Sequence, residues 1–167
     1  MNDTKKPSRS LPLSALLGGG VTLTVALLTR MTVGSPLTVI HKLEAVLTLP
    51  PLWLMGLFWL FSFALVGGSA GYLLSCPNGG PHKEVLLWRG STFFVLGVTL
   101  ALVWYTLLFG KFCLLPSWLC LVLSAVASVV CALSWMQIKT AAAVAVFLFF
   151  LWQLYLVLMH LAVLLAA

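Results

Sequence analysis

The chain has 167 residues, of which 62% are hydrophobic and only 7% are charged, and its formal net charge is +6. A soluble domain carries about 25% charged residues, so a water-soluble globule is excluded. The basic side chains are scattered singly near the ends of apolar runs, where they would meet anionic lipid headgroups, and nucleic-acid binding is not expected. Membrane lipid is therefore the predicted surrounding of most of the chain.

The first apolar run, residues 11–29, follows a polar and basic tail at residues 1–10. Such a run is either a signal peptide or a first transmembrane helix. It is longer than a usual signal core, and the nearest small-residue cleavage candidate, at residues 33–35, is followed by Pro36. We therefore expect an uncleaved helix with a cytoplasmic basic tail before it.

Four further apolar runs follow, separated by short polar or Gly/Pro-containing breaks. A helix needs about 20 residues to cross a hydrocarbon core about 30 Å thick. The predicted spans are residues 11–29, 46–74, 85–109, 112–136 and 141–166, with a surface segment at 30–45 between the first two. The predicted fold is an all-α integral membrane protein, a five-transmembrane-helix bundle that forms a single domain over residues 11–167.

Five spans place the two termini on opposite sides of the membrane, and the Lys and Arg residues predict which side is which. The side of the amino-terminal tail holds six of these residues, and the other side holds three: Arg30, Lys42 and Lys111. The positive-inside rule then favours a cytoplasmic amino terminus and an external carboxyl terminus in a bacterial plasma membrane.

The usual catalytic side chains are nearly absent. The acidic residues are Asp3, Glu44 and Glu84, all in the tail or in predicted loops, so no carboxylate pair, Ser/His/Asp set or phosphate-binding loop can be assembled. No acidic residue lies within a span to relay protons, which argues against an ion-driven pump. No His/Cys cluster has metal-ligand spacing, so neither a metal site nor a required cofactor is predicted.

The four cysteines are Cys76, Cys113, Cys120 and Cys131. Cys76 and Cys113 fall on opposite sides of the membrane and cannot pair. Cys120 and Cys131 lie in one apolar span, as expected of small buried hydrophobes. We expect no disulfide.

The chain contains seven tryptophans, more than interfacial belts usually need. Four lie near predicted span ends and fit such a belt: Trp53, Trp88, Trp118 and Trp135. Trp59, Trp104 and Trp152 are deeper, on three different spans. Mid-span tryptophans either pack between helices or line an apolar cavity for a flat ligand, and the sequence leaves both interpretations open.

One face of the last span combines aromatic and polar side chains, because Phe149, Gln153, Leu156 and His160 are spaced four, three and four residues apart. Trp152 lies beside this face. An unpaired polar group in hydrocarbon is costly, so Gln153 and His160 should face the bundle. They make either interhelical hydrogen bonds or one wall of a pocket in which they orient a ligand.

Small residues four apart, Gly67 with Gly71 and Gly97 with Ala101, predict close contacts between helices. The glycine run 18–20 suggests the same for the first span. Packing within the bundle explains these patterns, and a homodimer is also possible.

The spacing of these residues resembles the translocator protein family, also called the tryptophan-rich sensory protein or peripheral benzodiazepine receptor family. Its Pro-Pro-x-Trp, Gly, Val-Trp and Met-Gly pattern is matched in span two by Pro50, Pro51, Trp53, Gly56, Trp59 and Gly67. Later spans match it at Leu100, Trp104, Phe109, Gly110, Trp135, Gln137, Ala142, Ala143, Trp152 and Tyr155. The resemblance covers residues 46–160 and identifies the chain as a divergent bacterial member.

The chain departs from the family pattern at several positions. Ala101 and His160 each replace an Asn, Tyr105 replaces a Ser, and Leu148-Phe149 replaces a Pro-Tyr pair. The first loop lacks the Trp-Tyr and Pro-Ser-Trp elements of the family.

The resemblance implies a pocket near the first loop that binds porphyrins or other flat apolar molecules, in a transport, sensory or stress-regulatory role. The alternatives are a light-dependent porphyrin-degrading enzyme that uses Trp59 and Trp152, or a structural or assembly protein without a small ligand. We expect a binding protein rather than an enzyme. Haem is a further candidate ligand, to which His160 could offer an imidazole. The predicted ligand-binding residues are Trp53, Trp59, Phe63, Ala101, Trp104, Phe149, Trp152, Gln153, Tyr155, Leu156 and His160.

Overall fold

The computed structural model describes residues 11–33, 51–76 and 81–166, which form five long helices and contain no strand. The helices are α1, Leu11–Val33; α2, Leu52–Ser75; α3, Pro81–Tyr105; α4, Leu114–Met136; and α5, Thr140–Ala166. Each is long and apolar enough to cross a membrane. The prediction of an all-α membrane protein with five spans is confirmed. The predicted tail 1–10, most of the surface segment 30–45 and the predicted start of span two at 46–50 lie outside the described residues.

Prolines explain where α2 and α3 begin. Pro51 precedes α2, and its carbonyl accepts hydrogen bonds from the amides of Leu54 and Met55 at 2.9 and 3.2 Å. Pro81 is the first residue of α3, so this helix starts earlier than the predicted residue 85. The fixed φ of proline suits a first turn, where the backbone needs no amide donor.

The carboxyl end of α3 continues as a π-helical turn over Thr106–Gly110. Beyond it the amide of Cys113 donates to the carbonyl of Leu107 at 3.0 Å, and Phe112 adopts a left-handed φ of 51°. This sharp reversal leads directly into α4 and makes α3 and α4 antiparallel neighbours.

The helices follow the order α1, α2, α5, α4, α3 around the bundle. α1 packs closely on α2, α3 packs closely on α4, and α5 packs against both α4 and α2. α2 and α3 follow each other in the sequence but touch little. The π turn contacts α1. Gly110 of the turn packs beside Val33 at the end of α1, since a Cβ added to Gly110 would lie 3.6 Å from Val33 Cγ1.

Glycines bring α1 and α2 into direct backbone contact, as the sequence predicts. A Cβ on Gly18 would overlap the carbonyl oxygen of Gly67, and a Cβ on Gly71 would overlap that of Ser14. Close backbone approach of this kind supplies the packing that holds helices together in lipid. Gly20 faces away, with nothing within 4 Å of its Cβ position, so the expectation of a close neighbour does not hold there.

Candidate functional site

Six aromatic side chains from α2, α3 with its π turn, and α5 form a continuous group in the bundle. We call it the inner aromatic cluster: Trp59, Phe63, Trp104, Tyr105, Phe109 and Phe149. Trp59 stacks on Tyr105, with ring centroids 4.9 Å apart and planes 30° apart. Phe63 lies 4.8 Å from Trp59 and meets Phe149 edge-on at 5.5 Å. These contacts link α2 to both α3 and α5.

The α3 part of the inner aromatic cluster is built around Tyr105. Tyr105 lies 4.7 Å from Phe109 of the π turn, and Trp104 meets these two rings edge-on at 6.3 and 6.2 Å. The position at which the chain departs from the family's Ser therefore supplies a phenol at the centre of the group.

A second aromatic group lies at the seam between α2 and α5. We call it the outer aromatic stack: Phe58, Trp152 and Tyr155. Trp152 lies between the other two rings, at centroid distances of 5.6 Å from Phe58 and 5.4 Å from Tyr155. The corresponding interplanar angles are 22° and 27°, so the rings are close to parallel. Phe58 is 47% exposed, and the stack reaches the outside of the bundle.

The indole nitrogen of Trp152 is buried and has no hydrogen-bond partner among the described residues. A buried donor without an acceptor costs about 1–3 kcal/mol. The indole nitrogen of Trp135 is likewise buried without a partner in the described part of the chain, and neither nitrogen is accessible from the surface of the bundle.

Gln153 points away from that stack, toward α4. Its side-chain nitrogen donates to Ser124 Oγ, and its side-chain oxygen accepts from Ser128 Oγ at 2.8 Å. Ser124 in turn donates to the carbonyl of Gly97 in α3 at 2.6 Å. Gln153 faces the bundle as predicted. Of the two predicted roles, interhelical hydrogen bonding or orienting a ligand, its amide has the first in this structure.

His160 is also buried, and each of its ring nitrogens has a partner. Trp104 Nε1 donates to His160 Nδ1 at 3.3 Å, and Ser117 Oγ lies 3.4 Å from Nε2. Because Ser117 donates its own proton to the carbonyl of Leu114 at 2.8 Å, Nε2 is the donor in the second contact. The imidazole is thereby assigned as the neutral Nε2–H tautomer. Binding haem iron would require breaking one of these hydrogen bonds.

The remaining predicted residues fall in different places. Ala101 and Leu156 are buried in the core with the inner aromatic cluster. Trp53 is 69% exposed at the start of α2 and belongs to neither aromatic group. Trp135, expected in an interfacial belt, is instead 1% exposed. It packs over Gly90, where a Cβ would overlap its indole ring, so α4 uses it to contact α3.

Arg30, Phe58 and Tyr105 belong to or border the two aromatic groups but are not among the predicted ligand-binding residues. A helical face shows which residues of one span lie together, but Phe58 becomes significant only because α5 is the neighbour of α2. Arg30 was counted among the cations of the membrane surface. A Cβ on Gly56 would lie 2.9 Å from its Nη1, so its side chain lies across α2.

Metal binding has no support within the described residues, because they contain no group of three or more His, Cys, Asp or Glu side chains that could hold an ion. The four cysteines are free, with Cys131 buried and the other three half-buried.

Comparison with known protein families gives a match over nearly the whole chain. The model of the TspO/MBR family matches residues 13–165. Neither the curated proteins nor the solved structures that were compared contain a match.

Proposed function

Because the chain belongs to the TspO/MBR family, we propose that it binds a tetrapyrrole or a similarly flat apolar molecule inside the membrane, in a transport, sensory or stress-regulatory role. The site is the outer aromatic stack together with the adjoining inner aromatic cluster. The protein is an integral membrane protein with five spanning helices. We place its amino terminus in the cytoplasm, on the charge distribution of its loops.

The outer aromatic stack is the observation that carries this proposal. Three nearly parallel rings offer edges and faces to a planar partner, and aromatic stacking of this kind is worth about 0.5–1.5 kcal/mol for each pair beyond the area it buries. The indole ring of Trp152 is the central member of the stack. A large planar apolar molecule matches this surface.

The location of the stack also fits an apolar ligand. Leu151 and Leu154, on either side of Trp152 in α5, are exposed on the outside of the bundle, where they meet lipid. A ligand dissolved in the membrane reaches the α2–α5 seam by lateral diffusion and needs no opening to water.

Conventional enzyme chemistry has little support in this site. The imidazole of His160 has both nitrogens engaged, and no carboxylate lies on α2 or α5. Light-dependent porphyrin breakdown through Trp59 and Trp152 needs no acid–base pair. It is therefore kept as a second outcome of the same experiment.

Titration of the purified protein with protoporphyrin IX tests the proposal, with the porphyrin absorption band as the readout. We expect saturable binding at micromolar concentration. Trp152→Leu should weaken it about tenfold, because the central ring of the stack is lost. Trp88→Leu is the matched control, since Trp88 is 68% exposed near the start of α3.

Absence of saturable binding, or equal weakening by Trp152→Leu and Trp88→Leu, would overturn the proposal. Illumination of the bound complex then distinguishes the two roles. A new porphyrin product that disappears in Trp152→Leu would indicate an enzyme, whereas unchanged porphyrin supports a binding protein.

A further inference from the structure

An open groove of about 520 Å³ runs along the outer side of the first turns of α3. Its walls come from one side of the helix, and all six residues that form them are exposed: Pro81, Glu84, Val85, Trp88, Arg89 and Thr92. None of them belongs to the inner aromatic cluster or to the outer aromatic stack. The groove is therefore a feature separate from the porphyrin site proposed above.

The groove lies where the lipid headgroups meet the hydrocarbon. α3 and its π turn together cover Pro81–Gly110, 30 residues, which is about 45 Å of helix. A bilayer is about 40–45 Å thick with its headgroups and about 30 Å thick without them. For an upright helix, Glu84 then lies among the headgroups, Arg89 lies just below them, and Thr92 lies in the hydrocarbon. The exposed Trp88 is typical of this interface.

Arg89 is held in place at one edge of the groove. Its Nε donates to Ser134 Oγ of α4 at 3.0 Å. Ser134 is fully buried and donates its own proton to the carbonyl of Val130 at 2.8 Å. A guanidinium has five N–H donors, and no acceptor for those on Nη1 and Nη2 lies within the described part of the chain. These donors match a phosphate, which an arginine binds through two parallel hydrogen bonds.

Glu84 places the opposite charge at the other edge of the groove. It is five residues from Arg89, which is about 7.5 Å along the helix axis and about 140° around it. Trp88 lies between them. This spacing differs from the three or four residues that let side chains pair on a helix. Each charge is thus free to pair with a group on a third molecule, and the carboxylate lies closer to the water than the guanidinium.

The other charged side chains at this end of the bundle do not line the groove. His82, Lys83 and Lys139 are exposed but lie outside its walls. The tail at residues 1–10, with its acidic Asp3, belongs to the same end and lies outside the described residues. The groove itself therefore contains one cation and, nearer the water, one anion. That arrangement is complementary to a zwitterion with its phosphate deeper in the membrane and its positive group further out.

We propose that the groove binds a phospholipid whose headgroup carries a phosphate and a primary ammonium, that is, phosphatidylethanolamine. The phosphate accepts two hydrogen bonds from Arg89, and the ammonium extends outward and donates to the carboxylate of Glu84. One acyl chain runs past Val85 and Thr92 into the hydrocarbon. Thr92 Oγ1 donates to the carbonyl of Trp88 at 3.0 Å, which leaves the methyl group of Thr92 for this contact.

Three lipids with the same dioleoyl chains test the proposal. The delipidated protein in detergent is titrated with phosphatidylethanolamine, phosphatidylcholine or phosphatidylglycerol, and native mass spectrometry measures each dissociation constant. Phosphatidylcholine has the same net charge as phosphatidylethanolamine but no N–H to donate, and phosphatidylglycerol has no cation. We expect phosphatidylethanolamine to bind about threefold more tightly than either, as for an exposed ion pair. Glu84→Gln should remove this preference.

Substitutions at the phosphate end give the second part of the test. Arg89→Gln should weaken all three lipids about tenfold, because the phosphate is common to them. Lys83→Gln is the matched control, since it removes an exposed cation of the same helix turn that does not line the groove, and it should change nothing. Ser134→Ala keeps the charge of Arg89 but removes its acceptor. It should weaken binding about threefold, and it provides a second measurement if Arg89→Gln does not fold.

Several results would overturn the proposal. Equal affinity for phosphatidylethanolamine and phosphatidylcholine, or tighter binding of phosphatidylglycerol, would show that the ammonium is not recognised. Equal losses in Lys83→Gln and Arg89→Gln would show a diffuse attraction to positive charge, and no loss in Arg89→Gln or Ser134→Ala would remove the phosphate contact. Because no porphyrin is present in these titrations, the proposed function stands or falls separately.

Discussion

The indole N–H of Trp104 in α3 donates to Nδ1 of His160 in α5 at 3.3 Å. The other ring nitrogen of His160 contacts Ser117 in α4. One imidazole therefore links three helices at the same level and limits how α5 can rotate about its axis. His160 faces the bundle interior as predicted, and these hydrogen bonds are the contacts that it makes there.

Replacing His160 by Phe should lower the free energy of unfolding by about 1–3 kcal/mol, because it leaves the buried indole N–H of Trp104 without an acceptor. Unfolding in detergent measures this cost for His160→Phe, Trp104→Phe and the double variant. We expect the sum of the two single-variant costs to exceed the cost of the double variant by about 1 kcal/mol, which is the coupling between the two side chains. Strictly additive costs would show that the hydrogen bond contributes nothing.

Haem, if it binds, should bind without His160 as an axial ligand, because both ring nitrogens already have partners. The absorption spectrum of added haem should be the same for the wild type and for His160→Ala. The wild type could instead shift the Soret band of added haem, with no such shift in His160→Ala. That result would show that the imidazole leaves Trp104 to reach the iron.

Gln153→Leu should leave porphyrin affinity unchanged while lowering stability by about 1 kcal/mol, the usual size of an interhelical hydrogen bond in membranes. Gln153 faces α4, whereas Trp152, the preceding residue, faces α2. Substitution of Gln153 should therefore affect stability, whereas substitution of Trp152 should affect porphyrin affinity. A loss of affinity in Gln153→Leu comparable to that in Trp152→Leu would contradict this division.

Gly71→Ala should destabilise the protein by about 1–3 kcal/mol, because the added methyl overlaps the backbone of Ser14 and forces α1 and α2 apart. Gly20→Ala is the matched control, since nothing lies within 4 Å of its Cβ position. Alanine is about 1 kcal/mol better than glycine within a helix. The control should therefore be neutral or slightly stabilising, and equal losses in the two variants would exclude the close contact as the cause.

Cysteine labelling tests the orientation in the membrane. Cys76 follows α2 and Cys113 precedes α4, so they lie at opposite ends of the bundle, and both are half-buried. With the other cysteines replaced by Ala, a membrane-impermeant maleimide should modify Cys113 in intact cells after removal of the outer membrane. Cys76 should react only in inverted vesicles. The reverse pattern would place the amino terminus outside.

The sequence was informative wherever one helix alone determines the answer. The inward faces of Gln153 and His160 and the close approach of Gly67 and Gly71 follow from helical spacing and from the cost of exposing polar groups to lipid. These predictions required no knowledge of which helix lies next to which.

The outer aromatic stack could not be predicted in this way. Phe58 is significant only because α5, rather than α3, is the neighbour of α2, and periodicity does not determine that order. Arg30 presents the same difficulty, since an arginine at the end of an apolar run is typical of a headgroup contact. Its inward direction depends on the space above Gly56.

The order of the helices has a consequence for biosynthesis. The α1–α2 and α3–α4 pairs each assemble from neighbouring segments, but they touch little until α5 packs against α2 and α4. Phe58 comes from the first pair, and Trp152 and Tyr155 come from α5, which is synthesised after both pairs. The outer aromatic stack therefore cannot form until α5 has entered the membrane, and a product truncated before α5 would lack it.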